Sequence, residues 1–226
     1  MLLYIKKINI SKSIIYTICY IIFTTIITLW VFLIHFEKHS WLINNGHFFN
    51  SILTLGCLIL FFKKKEGMSF FKLKSTKPKF YLMVFVIGLF FPLIRAVLKY
   101  IYSQENLNTI LTYQFDISRI NSLAILASIL IVPVIEEFFF RKFLQEKLMQ
   151  NYNAFVSILA TSILFALIHI SFISFFSEYL EFSMYQPFST FFAGLIMGSL
   201  FYKSKSVGPS IVLHMLWNVM AYSIIT

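Results

Sequence analysis

From Ser13 to Ile34 the chain runs 22 residues without a charged side chain. About 20 mostly apolar residues are enough to carry a helix across a bilayer. Lys6, Lys7 and Lys12 precede this run, as they would in a secretory signal. The run is too long for a signal core, however, and no small-x-small cleavage site follows it. It is therefore read as a retained transmembrane helix. Six further apolar runs follow, at about 42–62, 80–101, 120–140, 153–174, 187–202 and 209–225. The expected fold is an all-α, polytopic transmembrane bundle of about seven spans, within a range of six to eight. Composition agrees: of 226 residues 59% are hydrophobic and 12% charged, against roughly 45–50% and about 25% in soluble domains. A soluble globule of this size would have to expose many of its 28 Phe. Disorder and collagen-like repeats are excluded by the same apolar content, with 7 Gly and 5 Pro.

The formal charge of +10 does not point to nucleic acid, because the basic residues lie between apolar runs rather than on one soluble face. With the N-terminus cytoplasmic, fifteen of the 19 Lys and Arg fall on the inner side. Lys38, Lys99 and Arg119 fall outside, and Arg95 lies within the third run. That bias predicts an integral plasma-membrane protein with its N-terminus inside and its C-terminus outside. Lys63 to Lys79 holds seven lysines around Phe70 and Phe71, and reads as a topology-setting loop on anionic lipid, with docking of an acidic substrate as the alternative. Cys19 and Cys57 sit inside apolar runs as small core residues.

Ionisable groups within membrane helices are costly, which makes them functional candidates. Three clusters qualify: Glu136-Glu137 with Arg141, Phe165 with His169, and His214 with Asn218. Glu137 and Arg141 are four apart in the acid-first order and can pair along one helix face. Glu136 is rotated by about 100° and has no such local partner. A single buried His is commonly a hydrogen-bonded core residue, but two of them beside a spare carboxylate are harder to explain that way. If residues 120–149 form one helix that turns at 150–152, Glu136 and His169 both lie roughly 20–27 Å from the turn. With the polar stretch Arg141 to Asn151 projecting from the cytoplasmic face, both lie roughly 5–15 Å below that face at 1.5 Å per residue. His214, five residues beyond Pro209, lies at roughly 5–10 Å by the same rise. The three clusters can therefore meet at one level, in the cytoplasmic half of the bilayer. Two chemistries are open to them. A carboxylate beside a histidine can deprotonate water while a second histidine and an amide stabilise an oxyanion. Alternatively, Glu136, His169 and His214 form a His2Glu set suited to Zn2+ with water in the fourth position. Both lead to hydrolysis of a carbonyl compound. The H-E-x-x-H signature is absent.

These motifs, in this order on successive helices, resemble the CAAX protease and bacteriocin-processing (CPBP, or Abi) family of intramembrane proteases. Its Glu-Glu-x-x-x-Arg motif is matched by Glu136, Glu137 and Arg141, its Phe-x-x-x-His motif by Phe165 and His169, and its His-x-x-x-Asn/Asp motif by His214 and Asn218. The resemblance covers about residues 120–225. It implies an endopeptidase in which Glu136 is the general base and His169 its partner. His214 and Asn218 would stabilise the oxyanion or help hold a metal, with Glu136, His169 and His214 as the ligand set. Glu137, Arg141 and Phe165 are supporting residues, and Glu137 could contribute to the site. The family is described as metalloproteases, which implies Zn2+, while a metal-free glutamate-activated water is also proposed for members. Eukaryotic members remove the C-terminal tripeptide from prenylated CAAX proteins. Small bacterial ones are linked to bacteriocin self-immunity or peptide processing. Richness in Ile, Lys, Phe and Asn leans toward a bacterial member.

The chain is accordingly divided into N-terminal transmembrane helices with the lysine-rich loop (1–119) and a catalytic core in the last four spans (120–226). The expected partners are membrane lipids and a hydrophobic or lipidated peptide or protein. The alternative is a non-enzymatic immunity or scaffold protein that binds a peptide or receptor. A proton-coupled transporter would normally show inverted repeats, and none is evident. Arg95, just after Pro92, is expected to snorkel or to pair with a bundle carboxylate rather than act in catalysis. Segment 171–187, with Glu178 and Glu181, reads as an external interfacial loop or a short re-entrant piece, and Gly194 and Gly198 as a close helix contact within the monomer.

Overall fold

The computed structural model describes residues 8–35, 40–104, 114–170 and 183–225. Lys6, Lys7 and Lys38, and residues 171–182 with Glu178 and Glu181, lie outside them. Among the described residues the chain forms eight principal helices: α1 (Ile10–His35), α2 (Ser40–Glu66), α3 (Pro78–Leu89), α4 (Phe91–Ser103), α5 (Leu123–Leu148), α6 (Ala154–Leu167), α7 (Tyr185–Ser204) and α8 (Gly208–Ser223). The fold is all-α. Its extended pairing among the described residues is two residues long, Gln114–Phe115 against Ile224–Ile225.

Helix boundaries follow local chemistry. Ser122 caps α5 by accepting from the Ile125 amide, and Asn153 caps α6 by accepting from that of Val156. Pro78 and Pro209 occupy first-turn positions of α3 and α8, where a missing N–H costs nothing. Pro92 has no N–H for the carbonyl four residues back, and α3 and α4 meet there at 54°. α5 and α6 are joined by the turn Met149–Tyr152, at the place expected from sequence.

By length and apolar composition α1, α2 and α5 are long enough to cross a membrane, and the bent α3–α4 pair brings the number to four. α6 is apolar but has 14 residues. Within the described residues each of the seven apolar runs falls largely on helix, but fewer than seven meet these criteria. The polar residues of α7 and α8, including Gln186, Ser189, Thr190, His214 and Asn218, dilute the hydropathy of those two helices. Ile15, Ile22, Ile26, Leu60, Leu82, Phe85 and Leu89 stand exposed on α1 to α3. Such a continuous apolar exterior would be unsupportable in water, and the chain is a multi-pass membrane protein.

Inside, Tyr20, Phe62, Phe139, Phe140, Phe143 and Phe165 bury their rings in one cluster. Tyr20 stacks on Phe139 at 4.6 Å and Phe140 meets Phe165 edge-on at 5.2 Å, geometries that add to area burial. The Gly194/Gly198 pair packs within the monomer. A methyl group at Gly194 would lie 3.0 Å from Ser162 Cβ, and one at Gly198 2.9 Å from Gln145 Oε1. That closeness lets the Gln145 side chain donate to the Gly198 carbonyl at 2.8 Å. α7 is thereby fixed against both α5 and α6.

Candidate active site

Regular helix fails where the candidate residues sit. α5 is interrupted at Ile131, before Pro133, and resumes through Glu136 and Glu137. Residues Phe138–Gln145 then form π-helical turns, a wider winding that occurs mostly at functional sites. Across the break, Asn218 Nδ2 of α8 donates to the Ser128 carbonyl at 2.7 Å. Four residues earlier, on the same face of α8, stands His214.

The two glutamates have different environments. Glu137 is fully buried, accepts from Arg141 Nε at 3.2 Å and lies 3.2 Å from His214 Nδ1. This confirms the pairing with Arg141 that the spacing implied. Arg141 is also fully buried and sets its guanidinium 5.0 Å from the Phe165 ring centroid, a cation–π contact. Glu136 is 7% exposed, and its Oε2 is a buried atom with no hydrogen-bond partner. That oxygen lies 3.7 Å from His214 Nε2, within ion-pair distance but beyond a direct hydrogen bond.

The histidine tautomers follow from their partners. A carboxylate only accepts, so His214 carries a proton on Nδ1 toward Glu137 and presents Nε2 toward Glu136. His169 Nδ1 lies 2.8 Å from the Phe165 carbonyl, which also only accepts, so Nε2 is its uncommitted nitrogen. Phe165 thus supports both histidines, since its ring meets that of His169 at 4.8 Å and that of His214 at 5.7 Å.

Glu136, Phe165, His169, His214 and Asn218 line one cavity of about 530 Å3. The convergence expected from depth is therefore present. The histidine within ion-pair distance of Glu136 is His214, and among the described contacts none joins Glu136 to His169. Polar residues outside the motifs also line the cavity, among them His47 from α2, Arg95 from α4, Ser128 from α5 and Gln186, Ser189 and Thr190 from α7. Ser128 Oγ lies 2.9 Å from His47 Nε2 and also donates to the Ala124 carbonyl at 3.1 Å. His47 was detectable in principle as a titratable residue inside an apolar run. Arg95 has no carboxylate within ion-pair distance among the described residues, so of the two expected roles the pairing with a bundle carboxylate is not seen there, and its Nη1 is buried without a partner.

Zinc is held about 2.0–2.2 Å from nitrogen and oxygen ligands. Glu136 and His214 approach the spacing of two such ligands. No group of three His, Cys, Asp or Glu side chains among the described residues is gathered to hold a metal ion. As placed, Glu136, His169 and His214 therefore do not fit the His2Glu arrangement, and the chemistry below uses none.

Residues 119–220 match a family model described as type II CAAX prenyl endopeptidase, Rce1-like. No curated protein and no solved structure matches the chain. The matched segment is a little under half of the 226 residues and holds all three motifs and every residue of the Glu136–His214 arrangement. By this match and the motifs together, the segment is similar to the CAAX protease (CPBP) family.

Proposed function

We propose that this protein is an intramembrane endopeptidase in which Glu136 activates water against a peptide bond of a hydrophobic or lipidated substrate. The single observation that carries the reading is the division of labour between adjacent carboxylates. Glu137 is engaged by both Arg141 and His214, while Glu136 keeps a buried oxygen without a hydrogen-bond partner on the wall of the cavity.

A water held by Glu136 gives one proton to that carboxylate as its oxygen attacks the carbonyl carbon. The carbonyl π electrons move onto oxygen and form the tetrahedral oxyanion. With Nδ1–H held by Glu137 and a second proton placed on Nε2, His214 donates from Nε2 to that oxygen. The Asn218 amide has a second N–H beyond the one given to Ser128, and supplies another donor. Collapse of the intermediate breaks the C–N bond, and the proton on Glu136 passes to the leaving nitrogen. His169, fixed by the Phe165 carbonyl, accepts the other hydrogen of the water through Nε2 and orients it.

In this reading the chain makes seven passages through a bacterial plasma membrane, with its N-terminus cytoplasmic and the site in the inner half of the bilayer. Its role is peptide processing or self-immunity. The distribution of Lys and Arg supports the orientation, and composition supports the source. The test is a matched pair of membrane preparations, wild type and Glu136→Gln at equal expression, given peptides with apolar or lipidated tails. Cleavage by the wild type alone is expected. Equal cleavage by the two would remove Glu136 as the base, and an intact cellular phenotype in the variant would favour a protein that only binds.

A further inference from the structure

Arg95 is a cation that the catalytic scheme leaves idle. It lies on α4, on one face with Phe91 and Leu98, and all three line the cavity that holds Glu136. Phe91 meets Trp217 edge-on at 4.7 Å, which seats α4 against α8 beside His214 and Asn218. Arg95 Nη1 is buried and has no hydrogen-bond partner. The carboxylates nearest the chemistry do not neutralise it, because Glu137 is taken by Arg141 and His214, and the ion-pair neighbour of Glu136 is His214. A guanidinium cannot shed its charge at any working pH. Holding one partly desolvated and unpaired is costly, and an anion brought in by a ligand removes that cost.

We propose that Arg95 is the anion subsite of this cavity and binds a carboxylate of the peptide substrate. The inference rests on the protease reading and narrows its substrate class. At about 530 Å3 the cavity has the size of a small-ligand pocket. Arg95 and Glu136 therefore face the same short stretch of peptide, and the carboxylate lies within a few residues of the bond that is cut. Guanidinium and carboxylate pair through two parallel hydrogen bonds. The carboxylate has two possible sources, the free C-terminus of the peptide or an Asp or Glu side chain, and the experiment separates them.

Purified full-length protein is given three peptides with the same apolar tail: a free acid, its C-terminal amide, and the amide with one Asp placed near the cut. KM and kcat are followed by mass spectrometry. Binding of the same peptides to Glu136→Gln is measured separately, so that recognition is read without hydrolysis. A charge-assisted pair is worth roughly tenfold to a hundredfold in affinity. Wild type is therefore expected to show a KM at least about tenfold lower for a carboxylate peptide than for the plain amide, with the difference confined largely to KM. Arg95→Gln brings the two KM values together. Preference for the free acid assigns the C-terminus, and preference for the Asp peptide assigns the side chain. Equal KM for all three in wild type, or a preference that survives Arg95→Gln, overturns the proposal. If Arg95→Gln does not fold, Arg95→Lys is read instead. Lysine keeps the charge and loses the fork, so a rise in KM restricted to carboxylate peptides supports the subsite and an unchanged KM refutes it. If wild type cuts none of the peptides, the protease reading fails. Binding to Glu136→Gln then decides the role of Arg95 alone.

Discussion

Replacing each adjacent glutamate by glutamine separates stability from catalysis. Glu137→Gln leaves the Arg141 guanidinium fully buried and without its counter-charge. The Nη1 and Nη2 atoms of Arg141 have no hydrogen-bond partner even in the intact protein, so the loss cannot be absorbed by bonds already present. Breaking a buried pair from one side costs about 3–5 kcal/mol. At roughly 2–4 °C per kcal/mol for a chain of this length, the midpoint of thermal unfolding in detergent should fall by something near 10 °C. Glu136→Gln removes a carboxylate whose Oε2 makes no hydrogen bond, so unfolding should move by less than about 1 kcal/mol. Its hydrolysis should fall about 10²–10⁴-fold, the usual contribution of a positioned base. The double variant Glu137→Gln/Arg141→Met supplies the control. Removing both charges should recover most of the stability lost with Glu137 alone. The assay pairs unfolding followed by size-exclusion fluorescence with peptide cleavage. The reasoning is refuted if Glu136→Gln melts as low as Glu137→Gln, or if the double variant is no more stable than the single.

Other expectations follow from the same contacts. Asn218→Ala deletes the bond to the Ser128 carbonyl and should cost about 0.5–1.5 kcal/mol of stability together with a drop in kcat, read by unfolding and peptide cleavage. Gly198→Ala should destabilise by about 1–3 kcal/mol through overpacking, because the added methyl meets Gln145 and Ile158 at 2.9 and 3.1 Å; Gly56→Ala, with nothing within 4 Å, is the matched control. Activity should survive incubation with a strong chelator, and loss restored by Zn2+ would contradict the base mechanism. The Asp116 carboxyl is held below its ordinary range, first by the Ser118 hydroxyl and then by the Ser118 amide. Its small contribution is present above the unfolded pKa and is lost as pH falls through the folded one; carboxyl NMR should show Ser118→Ala shifting this titration upward.

Much of the site was legible because helix geometry links spacing to faces. Glu137–Arg141, Phe165–His169 and His214–Asn218 are each four apart, and each pair lies along one face as the period requires. The turn near residues 150–152 and the Gly194/Gly198 contact were readable for the same reason, since both depend on a local pattern. Spacing within a helix carries no information about which face of another helix it meets. The second carboxylate contact of His214, to Glu137 through Nδ1, was therefore hidden, as were His47 and Arg95 as wall residues of the cavity. The number of membrane crossings was less legible, because polar residues of α7 and α8 lower the hydropathy of those two helices.

The order of the two glutamates has a physical consequence that a count of charges would miss. One residue of helix turns a side chain by about 100°, so adjacent carboxylates cannot both face Arg141. The second, Glu137, is four before Arg141 and takes the ion pair, which leaves the first, Glu136, directed to the cavity. Glu137 then serves His214 as well, and orients its ring so that Nε2 faces Glu136. A carboxylate left without a partner in a membrane interior would ordinarily be excluded by its desolvation cost. Here the cost is moderated because His214 lies 3.7 Å away, close enough to attract and too far for a direct hydrogen bond. The same helix step that secures the structural ion pair therefore keeps a second carboxylate available for chemistry.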